Sequence, residues 1–253
     1  MIIAAWNVNS LRARLPLILQ WLKERKPDVV LFQETKVVDE LFPADIFEDI
    51  GYRCVFHGQK SYNGVAILSK YNFDSVTKGI PGFDDNDARY IEVEIGKYRI
   101  SSVYIPNGRE IGDPHYYYKE RFFAALADHV GRHDDSWIIG GDYNVAPSDA
   151  DVYDPKIWSS SHIICSDKER MWLGNLMSKG LCDVFDKKGM NSKFTWWDYR
   201  TRGWSAGRGL RIDLMLVSHV LPDSLKNLAV DDYTRGLQRP SDHAPVWIEI
   251  DDI

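Results

Sequence analysis

The sequence has little cysteine, no long apolar run and no surplus of positive charge. Its 253 residues include 3 Cys, at Cys54, Cys165 and Cys182. An odd number with neither metal-ligand nor redox spacing excludes a disulfide framework, a structural zinc site and a thioredoxin-like pair, and fits a reducing compartment. No apolar stretch approaches the roughly 20 residues that cross a bilayer, and MIIAAWNVNSLRAR lacks the basic leader and apolar core of a signal peptide. The expected location is therefore cytoplasmic, without membrane contact. No Pro/Gly/Ser-rich linker, low-complexity tract or short repeat interrupts the chain, so one domain over 1–253 is expected. The formal net charge is −6, from 31 Lys and Arg against 37 Asp and Glu. That balance weighs against nucleic acid, whose phosphates are bound by Lys and Arg releasing counterions. It does not decide the matter, because carboxylates gathered around a metal also make a chain acidic, and a basic face can sit on an acidic protein.

What is present is a string of short apolar segments. Ile2 to Val8 and Val29 to Gln33 are expected to be buried strands, and between them Leu15, Ile18, Leu19 and Leu22 fall at helical spacing. Pro16 is acceptable there because it lies in the early turns. Strands rich in β-branched and aromatic residues are expected at 52–57, 64–69, 90–95 and 99–105. Asp113 can cap, and Pro114 can open, a helix over YYYKERFFAALADHV. A strand at Trp137 to Gly140 follows, then the capping-box pattern Ser166 to Glu169 ahead of a helix carrying Trp172, Leu173, Leu176 and Met177. Strands at 210–217, 225–230 and 245–250 finish the chain. Strands outnumber helices and several are adjacent, which favours packed sheets with helices on their outer faces over simple strand–helix alternation.

Polar residues recur at the ends of these strands. Asn7 ends IIAAWN, Glu34 ends VVLFQE, Asp142 and Asn144 follow WIIGG, and Asp242 and His243 precede PVWIEI. Strands of one sheet deliver their ends to a common edge, so these residues can converge. Each also has a plainer account: GGDYN as a turn, Glu34 as a solvated strand end, Asn7 as a backbone partner, and His243 as a hydrogen-bonded structural histidine. Together they describe a hard oxygen-ligand site suited to magnesium, with manganese as a substitute, and ill suited to zinc. Such a metal works on phosphates, and a charged histidine held by a carboxylate adds a donor to the charge developing on phosphorus.

The segments WNVNSLRAR, LFQETK, YNGVAILSK, VYIPNG, GGDYNVAPSD, GLRIDLMLVS and SDHAPVWIEI, in this order and spacing, resemble the exonuclease III family of abasic-site DNA endonucleases. The resemblance runs from Met1 to about Ile250. It implies a four-layer α/β sandwich, two packed mixed β-sheets flanked by helices, with the site at one edge, as in deoxyribonucleases and inositol polyphosphate phosphatases. It implies Glu34 as principal magnesium ligand beside Asn7, with Asp142, Asn144, Asp242 and His243 around the ion or a second metal position. Asp142 would orient and deprotonate the attacking water, and Asn144 would hold a phosphate oxygen. His243, oriented by Asp213, would donate to phosphate, and Tyr104 would contact the phosphate or assist the leaving group. Asn9 stands where some relatives have Asp, which bears on metal affinity.

The fold does not choose among phosphate esters. KFTWWDYRTRGWSAGRGLR, residues 193–211, sets Lys193, Arg200, Arg202, Arg208 and Arg211 against the single acid Asp198, with Phe194, Trp196, Trp197, Tyr199 and Trp204 interleaved. Basic groups can track a backbone while aromatics stack on bases; alone, the stretch also reads as a loop with buried Trp anchors. The resemblance matches Trp196, Leu210 and Ile212 to an abasic-sugar pocket. It implies a monomeric DNA repair hydrolase that cuts 5′ of an abasic site to leave a 3′-hydroxyl, with 3′→5′ exonuclease and 3′-phosphatase activity on double-stranded DNA. The alternatives are a small-molecule or lipid phosphatase of the same fold and a catalytically inactive DNA-binding homologue.

Overall fold

A computed structural model describes residues 1–133, 136–189 and 193–251. Among the described residues, twelve strands form two sheets of six. The first sheet contains β1 (Ile2–Asn7), β2 (Val29–Gln33), β3 (Arg53–His57), β4 (Val65–Ser69), β11 (Leu225–Val230) and β12 (Val246–Ile250), in the order β11-β12-β1-β2-β4-β3. The second contains β5 (Ser75–Lys78), β6 (Tyr90–Ile95), β7 (Tyr98–Tyr104), β8 (Ser136–Asp142), β9 (Leu181–Asp183) and β10 (Asp213–Ser218), in the order β5-β6-β7-β8-β10-β9. Each sheet is mixed, with one parallel pair, β1–β2 in the first and β7–β8 in the second.

The strands are apolar on both faces because both faces are covered. Ile3, Ala5, Leu31 and Ile67 of the first sheet meet Val93, Ile100, Ile138 and Met215 of the second in the central core. The alternate residues Ala4, Trp6, Val30 and Phe32 face α1 (Leu11–Arg25) and α2 (Ala44–Glu48). Val103, Ile139, Leu214 and Leu216 face α3 (Pro114–Val130) and α4 (Asp167–Met177). A short helix, α5 (Val184–Lys187), follows β9. The result is the expected four-layer sandwich, and period-two burial on each strand is what divides one apolar sequence between two cores.

The expected helix starts hold at atomic level. The Asp113 carboxylate accepts from the His115 amide with Pro114 in the first turn, and both bonds of the Ser166–Glu169 capping box are made. The strand expected from Leu210 begins only at Asp213, and Leu210 makes isolated bridges with Val152 and Trp196 instead. GGDYN is no turn at its start: Gly140 and Gly141 lie inside β8. A side chain at Gly140 would meet Leu31 Cδ1 and Met215 Sδ at 2.7 Å, so this glycine lets the two sheets close just beneath the site.

Candidate active site

Strand direction carries the polar residues to one edge. β1, β2, β7 and β8 all end there, and β10 and β12, antiparallel to their neighbours, both begin there. Asn7 and Glu34 come from the first sheet, Asp142, Tyr104 and Asp213 from the second. The expectation of one sheet is thus corrected to a seam between two, with Asp142 registered between Asp213 and Tyr104. Beyond the strands the backbone turns left-handed at Asn9 (φ 44), Glu34 (φ 51), Lys36 (φ 52) and Asn144 (φ 49). Such conformations are held only where surrounding structure over-determines them.

One amide joins the two principal carboxylates. Asn7 Nδ2 donates to Glu34 Oε1 and to Asp142 Oδ2, each at 2.9 Å, while its Oδ1 accepts from the Asn9 amide. Asn7 therefore turns its nitrogen toward the two acids and bridges them. Lys36 Nζ lies 2.6 Å from Glu34 Oε2 and 2.6 Å from Asn9 Oδ1. Burial pushes the Glu34 carboxyl up, but Lys36 and the Asn7 bond outweigh it and hold the group below its ordinary value. Burial and then the charges of Glu34 and Asp142 push the Tyr104 phenol well up, so it stays a donor.

His243 is a buried cation. Its Nδ1 lies 2.9 and 3.0 Å from the two Asp213 oxygens, and its Nε2 lies 3.7 Å from Asp142 Oδ2. Burial alone would push the ring's pKa down, yet Asp213 and then Asp142 push it up to about 10. Burial drives Asp142 upward, with Asp213 and Glu34 adding to it and His243 opposing. One carboxylate is thus poised to take a proton beside an imidazolium that donates, the separation of roles that acid–base chemistry needs.

The remaining expected residues are placed as follows. Asn144 donates its side chain to the Ile105 carbonyl and accepts from Asn107 Nδ2, while its backbone amide bonds Asp142 Oδ1. Asp242 has one oxygen taken by Asn9 Nδ2 and the other by Trp196 Nε1. Trp196 is half-buried, whereas Leu210 (0 % exposed) and Ile212 (2 % exposed) lie beneath it in a cluster with Ala146, Val152 and Ile164. Arg200, Arg202 and Arg208 are exposed. Arg211 is not part of that basic face: it is buried between Asp151 (2.6 Å) and Asp183 (2.5 Å), because its side chain points under the loop.

Several site residues escaped the sequence reading. Lys119 is fully buried and donates to the Asn144 carbonyl (2.7 Å), the Asn107 carbonyl (3.3 Å) and Glu169 Oε1 (2.5 Å). On a helical wheel it was one more charged helix residue. Lys36, two residues past Glu34 in LFQETK, was the more readable signal. Two cationic cavities also flank the edge, about 350 Å³ against Arg12, Arg14 and Arg239 and about 320 Å³ against Arg89, Tyr104 and Arg109.

The donor set suits a hard divalent cation. Ligand atoms of Glu34, Asp142 and His243 all lie within 4.8 Å of one another. With His243 protonated by its Asp213 contact, the oxygens of Glu34 and Asp142 remain, and an ammonium, Lys36, already rests on one of them.

The profile of the Endonuclease/Exonuclease/phosphatase family matches residues 4–243. The chain is 37% identical to exodeoxyribonuclease III of Haemophilus influenzae, covering 97% of this chain and 98% of that one. The structure of a Neisseria 3′ phosphatase bound to product DNA hairpin superposes with a TM-score of 0.95 at 42% identity, covering 99% of each chain. That of an AP endonuclease from Archaeoglobus fulgidus gives 0.95 at 33% identity over the whole of both chains.

Proposed function

On the premise that this chain belongs to the endonuclease/exonuclease/phosphatase family, we propose that it is a magnesium-dependent DNA repair nuclease. It hydrolyses the phosphodiester 5′ of an abasic site, removes nucleotides and phosphate from 3′ ends of duplex DNA, and acts as a monomer. The observation that carries this reading is the meeting of Glu34 and Asp142 across the Asn7 amide, with the Asp213-held His243 3.7 Å from Asp142. Exposed Arg200, Arg202 and Arg208 and the two flanking arginine-lined cavities support a polyanionic substrate.

Glu34 and Asp142 would hold magnesium, or manganese in its place, which neutralises phosphate oxygen charge and lowers the pKa of water. The protein's own groups do the rest. His243 Nε2–H donates to a non-bridging phosphate oxygen and strengthens that bond as charge develops there. Asp142 accepts the proton of the attacking water as its oxygen bonds phosphorus. The P–O3′ bond breaks, and the leaving oxygen is protonated at the edge where the Tyr104 hydroxyl donates. Asn144, pinned at both ends, fixes the loop that presents Asp142.

A second emphasis follows from burial. Leu210 and Ile212 are covered, so of the three expected pocket residues only Trp196 offers apolar surface to a sugar turned out of the duplex; this favours 3′-end processing over internal incision. One assay separates these outcomes: a duplex with a single internal abasic analogue and a second with a 3′-phosphate, each with and without magnesium, with product ends mapped. Release of 3′ groups alone would restrict the enzyme to ends, and metal-independent or absent cleavage of both would sink the nuclease reading.

A further inference from the structure

The end of the first sheet farthest from the catalytic edge carries a different kind of surface. α1 starts at Leu11 beside the site and runs 15 residues to Arg25, a rise of roughly 20 Å at ~1.5 Å per residue. There, between the last turns of α1 and the α2 segment, lies a cavity of about 670 Å³. Leu19, Leu22, Ile46, Ile50 and Tyr52 supply its apolar walls, and Ile50 is 48 % exposed. The Tyr52 hydroxyl is spent on the Pro27 carbonyl, so the cavity sees its ring.

The rim is cationic on a chain of net charge −6. Lys23, Lys26 and Lys70 face one acid, Asp49. Lys70 is committed to Asp28 and to the Lys26 carbonyl. Lys23 and Lys26 form no salt bridge with a described residue, and both stand at the C-terminal end of α1, where the helix dipole favours cations. Walls and rim make different demands on an occupant. A purely apolar ligand leaves the two ammonium groups unused, and duplex DNA has nothing to place against leucine and isoleucine.

We propose that this groove docks an acidic segment of a partner protein, which inserts large apolar side chains between α1 and α2 and sets carboxylates against Lys23 and Lys26. The volume falls within the roughly 300–1,000 Å³ range of pockets that enclose organic groups, and apolar anchors with a charged rim are how short segments bind grooves. Because the groove lies at the other end of α1 from the catalytic edge, the partner and DNA bind together. The proposal does not rest on the nuclease reading.

The test uses the full chain and a panel of fluorescein-labelled acidic octapeptides carrying a Leu-Leu, Leu-Phe or Leu-Trp pair among Asp residues, followed by fluorescence anisotropy. At least one peptide should bind saturably and weaken with salt. Its affinity should fall about tenfold or more in Lys23→Glu/Lys26→Glu and in Ile50→Asp, the scale expected for reversing rim charge or charging an anchor wall. Cleavage of a short duplex by these variants should match wild type, which also shows that they fold. No saturable binding by any peptide overturns the proposal, as does equal binding by versions with Lys for Asp or Ser for the apolar pair. Unchanged affinity in the variants, or displacement by duplex DNA, does the same. Self-association of the free protein that Ile50→Asp abolishes would assign the groove to a second copy instead.

Discussion

Glu34, the proposed metal ligand, has its carboxylate steered by an amide on one side and an ammonium on the other. Glu34→Gln keeps the shape and removes the charge from a hard-cation ligand. Cleavage should be largely lost at low magnesium and partly recovered at high magnesium; a magnesium titration with wild-type midpoint would contradict the role. Asp213 acts through His243. It is the largest influence raising the ring, so Asp213→Asn should let the imidazole lose its proton well below the value of about 10 that the native contacts support. Since the charged ring is the donor, the mutant's rate should fall as pH rises through that lower value, by roughly 10²-fold or more once neutral. Wild type should stay flat on that limb. The pH profile of kcat/KM for both proteins checks this, and parallel profiles would remove Asp213 from the charge argument. Asn7 is legible in the sequence as a polar strand end, and only the surrounding bonds reveal that its amide nitrogen bridges the two acids.

At the scale of elements, two helices and one irregular segment hold the site. Lys119 on α3 and Glu169 in the α4 capping box form a buried pair that also grips the carbonyls of Asn107 and Asn144. Lys119→Met leaves the Glu169 charge uncompensated and should destabilise by about 3–5 kcal/mol in urea unfolding. Adding Glu169→Gln should restore much of that stability but not turnover, since the Asn144 carbonyl stays ungripped. Full recovery of kcat in the double variant would make the pair purely structural. Residues 195–197 bridge the rest: the Thr195 hydroxyl accepts from the Ile212 and Asp213 amides, the Thr195 carbonyl accepts from Ala244, and the Asp242 carbonyl accepts from Trp197. Burial also sorts the expected pocket residues Trp196, Leu210 and Ile212. Leu210→Ala should cost about 2–5 kcal/mol because it opens a cavity in a covered cluster. Trp196→Ala should leave stability closer to wild type and lower abasic incision relative to 3′-end release, by several-fold to about a hundredfold for ~1–3 kcal/mol of packing. Equal losses on both substrates would place the lesion pocket elsewhere.

For the whole molecule, a net charge of −6 coexists with an arginine-lined edge, because buried acids account for part of the excess: Glu92, Asp142, Asp151, Asp183 and Asp213 are all covered. Neutralising Arg200, Arg202 or Arg208 should reduce the slope of log affinity for duplex DNA against log salt by about 0.9 for each phosphate that the guanidinium neutralises. An unchanged slope assigns that arginine to solvated surface, and Arg211→Ala, which breaks a buried network, should instead show its effect in unfolding. The sequence by itself determined ten of the twelve described strands, all but the short β5 and β9, the capped starts of α3 and α4 and the strand-end position of each polar residue. Those depend on periodicity and on bonds within a few residues. Only the tertiary structure decided that two sheets, not one, supply the site, and that Asn7 presents nitrogen. It likewise buried Arg211 while leaving Arg208 exposed, and set Lys119 behind Asn144. Each of these depends on which atoms from distant segments fill the space beside a side chain, and that is settled by packing rather than by local pattern.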